Sequence, residues 1–310
     1  MYGAYIGGIF PRSEKLIEAT RLKAPNLLDL FREEKKKVIA LQRDARLSYL
    51  ADPMEDWDDM LRPFLKLEGV QEGPLARFYE NNTFYRQPIV VNRLRGGGGI
   101  ASGALALDLL PKRTKWKATL PDPYTFADLC QDRIYQDKVE LMFDLSKILA
   151  QEVASLVSAG VKMIQFNGPS LVKQHDPEIL ARIGEAVERV AKGCGAETYL
   201  HLYFRNCSKV LPYLQDLKVD GVGIDFRATP LEELRELDFK GLACGYVDAG
   251  NTKMEKPSEI ASFAEKVLET LEPKPLYITP NFDLEFIPYT FAKQKVRNLG
   301  TALAILREED

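Results

Sequence analysis

The chain has 310 residues, 45% of them hydrophobic, enough to bury a large core and long enough for two average domains or one α/β barrel. Its formal net charge of −3 gives no general attraction to nucleic acid or to an anionic membrane, so neither is expected as a partner. The four cysteines, Cys130, Cys194, Cys207 and Cys244, form no Cys-x-x-Cys pair, so no zinc knuckle or disulfide framework is signalled.

No apolar run approaches the roughly 20 residues of a membrane span, and the opening Met1-Tyr2-Gly3-Ala4-Tyr5 lacks the charged and apolar regions of a signal peptide. A cytoplasmic setting is the expectation. In chain order, Gly3 to Phe10 reads as a short buried strand, and Ser13 as the N-cap of a helix carrying Leu16, Ile17 and Ala19. A charged helix over Leu27 to Asp44 leads to a strand at Leu47 to Leu50, which Ala51-Asp52-Pro53 stops because a residue before proline resists helix. Trp57, set among acids, is read either as presented to a ligand or as part of a solvated helix start.

Residues 64–114 are the least regular part and are predicted to be an excursion beside the main fold. The run Gly96 to Gly99 has neither a following Lys-Ser or Lys-Thr nor Gly-x-Gly-x-x-Gly spacing, so it reads as a loop, with Arg93 and Arg95 before it as candidates for an anion. Strands follow at Lys117 to Leu120, Met163 to Asn167, Tyr199 to Phe204, Val222 to Phe226, Leu242 to Val247 and Leu276 to Thr279. Helices are expected at Val139 to Ala159, Pro177 to Lys192, Cys207 to Leu217, Leu231 to Leu237, Pro257 to Leu271 and Pro288 to Arg307, with Gly160 as a left-handed stop.

Eight strands alternating with helical patterns predict a single (β/α)8 TIM barrel over residues 1–310, with the insertion around 64–114. A doubly wound sheet would need a glycine-rich first turn, and Gly7-Gly8-Ile9-Phe10-Pro11 is not one. Function in a barrel belongs to the carboxyl ends of the strands, which here hold Arg12, Asp52, Asn167, His201, Tyr203, Arg205, Asp225, Asp248, Asn251 and Asn281. Asn and Asp also cap loops, so about half of these are expected to line a pocket. By strand alternation Arg205 should point into the barrel mouth and pair with Asp225.

Five stretches carry a resemblance: Gly8-Ile9-Phe10-Pro11-Arg12, Asn82-Thr83-Phe84-Tyr85, Thr119-Leu120-Pro121-Asp122-Pro123, Phe166-Asn167-Gly168-Pro169-Ser170 and Gly245-Tyr246-Val247-Asp248-Ala249-Gly250-Asn251. Their order, closed by Pro280-Asn281-Phe282-Asp283, resembles the cobalamin-independent methionine synthase family over nearly the whole chain. Members of that family join two related barrels, the second of which holds a catalytic zinc that binds homocysteine as thiolate. The family's zinc-ligand positions are occupied here by His201, Tyr203, Asp225 and Phe282, so both thiolates are replaced. Phe282 has no donor and the Tyr203 phenol stays protonated near neutral pH, which leaves His201 as a core or pocket residue rather than a ligand.

Tyr203-Phe204 and Val247-Asp248-Ala249-Gly250-Asn251 are similar to the family's zinc-free amino-terminal barrel, which helps to hold the folate substrate's polyglutamate tail through basic residues. The resemblance carries that role to Arg12, Ser13, Lys15 and Arg77, and makes Asn82 and Tyr85 substrate-binding candidates. It implies no metal or cofactor bound by this chain itself, with zinc held only in a separately encoded partner barrel. The implied activity is methyl transfer from a methylated pterin with an anionic tail to homocysteine, the chain being inactive without its partner and free to form a homo-oligomer. A zinc-free small-molecule-binding protein, or another enzyme reusing the barrel, is the alternative.

Overall fold

The strands, in chain order, are β1 (Tyr2–Ala4), β2 (Leu50–Ala51), β3 (Glu68–Arg77), β4 (Phe84–Arg95), β5 (Trp116–Pro121), β6 (Gln131–Asp132), β7 (Met163–Asn167), β8 (Glu197–Leu202), β9 (Gly221–Asp225), β10 (Leu242–Val247) and β11 (Leu276–Pro280). They come from a computed structural model that describes residues 2–308. Eight of them form one parallel sheet in the order β1-β11-β10-β9-β8-β7-β5-β2. Its two ends meet, because the Ser48 N–H donates to the Ala4 carbonyl at 2.8 Å. The sheet is therefore curled into a TIM-like barrel, as eight alternating units require.

The helices are α1 (Glu14–Arg21), α2 (Leu27–Asp44), α3 (Ile100–Ala104), α4 (Pro123–Leu129), α5 (Lys138–Ser158), α6 (Pro177–Ala191), α7 (Pro257–Leu271) and α8 (Tyr289–Glu308). Local chemistry fixes their starts: Ser13, Asp122 and Asp176 accept backbone N–H groups in the first turns of α1, α4 and α6, and proline opens α4, α6 and α7. Gly160, at φ 100°, follows α5 in the left-handed conformation.

Three expectations are corrected. The first strand is only Tyr2–Ala4, since the N–H groups of Gly8 and Ile9 turn to the Asp283 carboxylate at 2.7 and 3.2 Å instead of extending the sheet. The second lies at Leu50–Ala51 and overlaps the expected Leu47 to Leu50 at Leu50 alone. Cys207 to Leu217 and Leu231 to Leu237 are not α-helices but hold only 3₁₀ turns at Leu211–Leu214 and Leu231–Leu234. In the first, Pro212 supplies no N–H, while Val210, Leu211 and Leu214 still bury the side chains whose spacing suggested a helix.

The insertion is not beside the barrel but over its mouth. β3 and β4 form an antiparallel hairpin, extended by β6. At its tip the Tyr79 hydroxyl shares a 2.7 Å hydrogen bond with Ser170 Oγ beyond β7, and the rings of Phe78 and Tyr79 lie 6.1 and 5.6 Å from that of Phe204. The run Gly96 to Gly99 does cradle an anion, but one from this chain. The Glu152 carboxylate of α5 accepts the N–H groups of Gly99, Ile100 and Ala101 at 3.2, 3.2 and 2.8 Å.

Inside the barrel Tyr5, Tyr49, Met163, Tyr199, Ala243 and Tyr277 form a layer separate from the larger core between sheet and helices. The aromatic rings fit because small residues face them: a Cβ on Gly3 would lie 2.5 Å from the Tyr277 ring, and one on Gly223 2.5 Å from His201.

Candidate functional site

Above that aromatic layer the barrel turns polar. Strand alternation aims Lys117 and Thr119 of β5, Gln165 and Asn167 of β7 and His201 of β8 inward, and all are buried. The Lys117 ammonium donates to Thr119 Oγ1 at 2.9 Å and lies 5.2 Å from the Tyr5 ring centre. Burial holds its pKa down to about 7 despite the nearby Asp283 carboxylate. His201 Nε2 shares a 2.8 Å hydrogen bond with the Tyr5 hydroxyl, and burial, then Lys117, depresses the imidazole pKa far enough to keep the ring neutral. Gln165 Oε1, Asn167 Nδ2 and Thr279 Oγ1 are buried without a protein partner, so hydrogen-bonding capacity remains in this layer.

The mouth above is closed by aromatic rings. Tyr203, Phe282 and Phe286 pack around Phe204 at 4.7, 4.8 and 5.9 Å, and the hairpin's Phe78 and Tyr79 complete the plug. A crevice of about 20 Å³ lies beside Tyr203 and Asp283, room for about one water. Burial first, then Asp283, raises the Tyr203 pKa well above the ordinary phenol value.

Beside the crevice lies a larger cavity of about 870 Å³, and Asp58, Glu285 and Phe286 line both. Arg12, Ser13 and Lys15 line it at the start of α1, with Glu55, Trp57, Tyr289 and Lys293 opposite. Arg12 donates to the Glu55 carbonyl at 2.6 Å and to Asp58 Oδ1 at 2.8 Å, and Lys15 is loosely paired with Glu33 at 3.7 Å. Both Glu55 carboxylate oxygens are buried and unpartnered. Burial, reinforced by Glu34 and Asp52, lifts that carboxyl's pKa to about 8. Trp57 is neither displayed nor part of a helix: it is buried, with its indole N–H 3.4 Å from the Ala104 carbonyl and one edge on the cavity.

The sequence-predicted residues divide accordingly. Arg12, Ser13 and Lys15 meet at the cavity, and Asn167, His201, Tyr203, Asp225 and Asn281 gather at or below the mouth. Asp225 accepts the Phe204 and Arg227 N–H groups at 3.2 and 3.0 Å and the Asn281 amide at 3.0 Å. The expected Arg205–Asp225 pair is absent: Arg205 is exposed and pairs with Glu80 of the hairpin. Its strand ends at Leu202, and Phe204 at φ 76° breaks the alternation that would have turned Arg205 inward.

Asp52 is structural, buried against Lys35 at 3.1 Å and accepting the Met54 and Ala106 N–H groups, both at 2.6 Å. Tyr85 is buried with its hydroxyl donating to the Leu129 carbonyl at 3.0 Å, away from the cavity. Asp248 and Asn251 cap their own loops through Gly250 and Lys253. Arg77 and Asn82 lie exposed on the hairpin. Sequence reading missed Lys117, Asp283 and Glu55. A lysine in an apolar strand, two residues before Thr119 on the same face, was the one available signal; burial of the two acids has no local signature.

A zinc ion does not fit the strand-end set. His201 Nε2 is engaged by Tyr5, which leaves Nδ1 as its one open donor, Asp225 already accepts two N–H groups and an amide, Tyr203 is a neutral phenol and Phe282 has no donor atom, so the set falls short of the roughly four donors a closed zinc site needs. Among the described residues no group of three or more His, Cys, Asp or Glu is placed to hold a metal ion.

The family model described as "Cobalamin-independent synthase, Catalytic domain" matches residues 10–304. A methionine synthase of Saccharolobus islandicus (strain L.S.2.15 / Lassen #1) is 31% identical over 97% of this chain and 94% of its own length. The methionine synthase of Saccharolobus solfataricus is 30% identical over the same shares. Among solved structures, a B12-independent methionine synthase from Shewanella sp. W3-18-1 matches with a TM-score of 0.79 at 21% identity, covering 92% of this chain and 89% of that one. The putative vitamin-B12 independent methionine synthase from Listeria monocytogenes gives 0.76 at 16%, over 99% of both chains, and at such identities the likeness speaks for the fold alone. With a closed barrel and a family match that runs almost from end to end, this chain belongs to the cobalamin-independent methionine synthase family.

Proposed function

We propose that this chain is a zinc-free barrel that assists methyl transfer from a methylated pterin with an anionic polyglutamate tail to homocysteine, together with a separately encoded barrel that carries the zinc. One observation carries this reading: the donors left at the family's zinc positions, His201 and Asp225, are spent on internal hydrogen bonds, and a phenylalanine fills the mouth. The names of the Saccharolobus relatives, which this chain matches over nearly their full length, support the methyl-transfer chemistry.

The cavity beside the mouth supports the tail-binding part. Lys293 lies 4.8 Å from the Tyr289 ring centre with no ion pair to an acid among the described residues, Lys15 is only loosely paired, and the start of α1 adds the positive end of a helix dipole. Those groups would hold carboxylates of the tail, while the aromatic plug keeps water and substrate out of the barrel's own centre. The test is methionine formation from the polyglutamylated donor, with this chain, the zinc-bearing barrel, and both. The reading expects none from this chain alone and at least about tenfold more from the pair than from the zinc barrel by itself, roughly 1.4 kcal/mol of barrier. Equal rates with and without this chain would overturn it.

A further inference from the structure

The opposite end of the barrel carries a second cleft whose charge runs against the net −3 of the chain. About 720 Å³ in volume, it lies where strands begin: Lys115 immediately precedes β5, Lys162 immediately precedes β7, and Lys218 stands three residues before β9, with Arg113 beside them. An adjoining cleft of about 610 Å³ shares Tyr49 and Lys115 and adds Arg307. This is the face of a barrel that ordinarily serves stability.

Among the described residues these cations are not tied to acids, and of the four Lys115 alone packs on a ring, that of Tyr49 at 5.4 Å. Many other surface cations are tied to acids, as Arg32 is to Asp108 at 2.6 Å and Lys266 to Glu232 at 3.0 Å. Among the described residues no carboxylate lies within 4.0 Å of Arg113, Lys115, Lys162 or Lys218. The two acids in the cleft are already committed. Asp220 accepts the Thr198 N–H at 2.9 Å and pairs with Lys240 at 3.0 Å, and Glu197 accepts the hydroxyls of Tyr49 and Tyr277. Four like charges around one hollow repel each other, and an anion between them relieves that repulsion.

The lining also suits close approach of such an anion. Gly193-Cys194-Gly195 forms part of the wall, with both glycines at positive φ, 69° and 84°, and no side chain at either to hold a ligand off. Arg113 itself sits at φ 70°, a conformation a non-glycine residue holds only where its surroundings impose it. Lysine ammonium groups are compact point charges that suit phosphate oxygens, and several of them call for more than one anionic group on the ligand.

We propose that this cleft binds a small ligand carrying two or more phosphate groups, held by Lys115, Lys162, Lys218 and Arg113. The proposal stands independently of the methyl-transfer reading. Its test is titration calorimetry of the full chain with inorganic tripolyphosphate at low salt. A saturable site that persists in Arg12→Gln/Lys293→Gln is expected, weakening as salt rises toward about 0.3 M as screening requires. The variant Lys115→Gln/Lys162→Gln/Lys218→Gln should bind at least about tenfold more weakly, about 1.4 kcal/mol, and keep its melting temperature without ligand to within the effect of one surface contact, Lys115 over the Tyr49 ring at 5.4 Å, since none of the lost charges has a carboxylate partner. Lys162→Glu alone should weaken binding in the same direction. Arg12→Gln/Lys293→Gln, at the other end of the barrel, should leave the affinity unchanged. No saturable binding to the parent, an unchanged affinity in the triple variant, or loss of binding in the mouth variant instead would overturn the proposal.

Discussion

At the scale of single residues, Lys117 is an ammonium enclosed in the barrel, with its pKa held down to about 7 by burial. The unfolded chain keeps the ordinary lysine value near 10.4, so between about pH 7 and 10 the unfolded state binds more protons and stability rises with pH. The penalty is complete below about pH 7 and fades toward pH 10. Lys117→Met should therefore stabilise the fold at pH 7 by on the order of 2–4 kcal/mol, less about 1 for the lost bond to Thr119. Urea unfolding of parent and variant at pH 7, 8 and 9 checks this, and a gap that does not shrink with rising pH would contradict it. Glu55 has the opposite sign: its folded pKa of about 8 lies above the unfolded carboxyl value, so its contribution is full below about pH 4 and lost as pH rises through 8. Glu55→Gln, which mimics the protonated acid, should gain stability relative to the parent as pH climbs from 5 to about 9 in the same unfolding assay. Arg205→Met should change stability by less than about 1 kcal/mol, because the Arg205–Glu80 pair is exposed. Sequence alternation placed Arg205 in the mouth, and only the backbone at Phe204, φ 76°, explains why it is not there; no local residue type announces that turn.

At the scale of elements, the segments legible from sequence were those where periodicity and caps agreed. The helix at Leu27–Asp44 matches its expected span, and the one expected at Val139 to Ala159 is shifted by a single residue at each end. The stretch from Cys207 to Leu217 had the spacing but not the caps, and Pro212 left it as a 3₁₀ turn. The glycine run is the other instructive element. Four residues at positive φ, from Gly96 to Gly99, bend the chain so that the first N–H groups of α3 converge on Glu152, fifty residues away. Sequence spacing showed no nucleotide-loop signature, and it had no means of finding that internal carboxylate. Glu152→Ala should cost about 2–3 kcal/mol in chemical denaturation, since three buried or part-buried N–H groups lose their acceptor. A loss below about 0.5 kcal/mol would show that α3 is capped by water instead.

At the scale of the whole molecule, eight strand units, the order of the motifs and the family all agree with what the residues imply, because parallel barrel strands are continuous apolar runs that sequence displays directly. The hairpin's position was not legible: β3 and β4 alternate weakly, and nothing in them states that Phe78 and Tyr79 will close the mouth with Phe204 and Phe282. That closure bears on the central proposal, that this chain holds no zinc of its own and would work through a partner. The direct measurement is the zinc content of the purified chain after incubation with zinc and dialysis against a weak chelator. The account expects far less than one zinc per chain, since a closed site needs about four donors and the two present are already engaged. About one zinc retained per chain would contradict it.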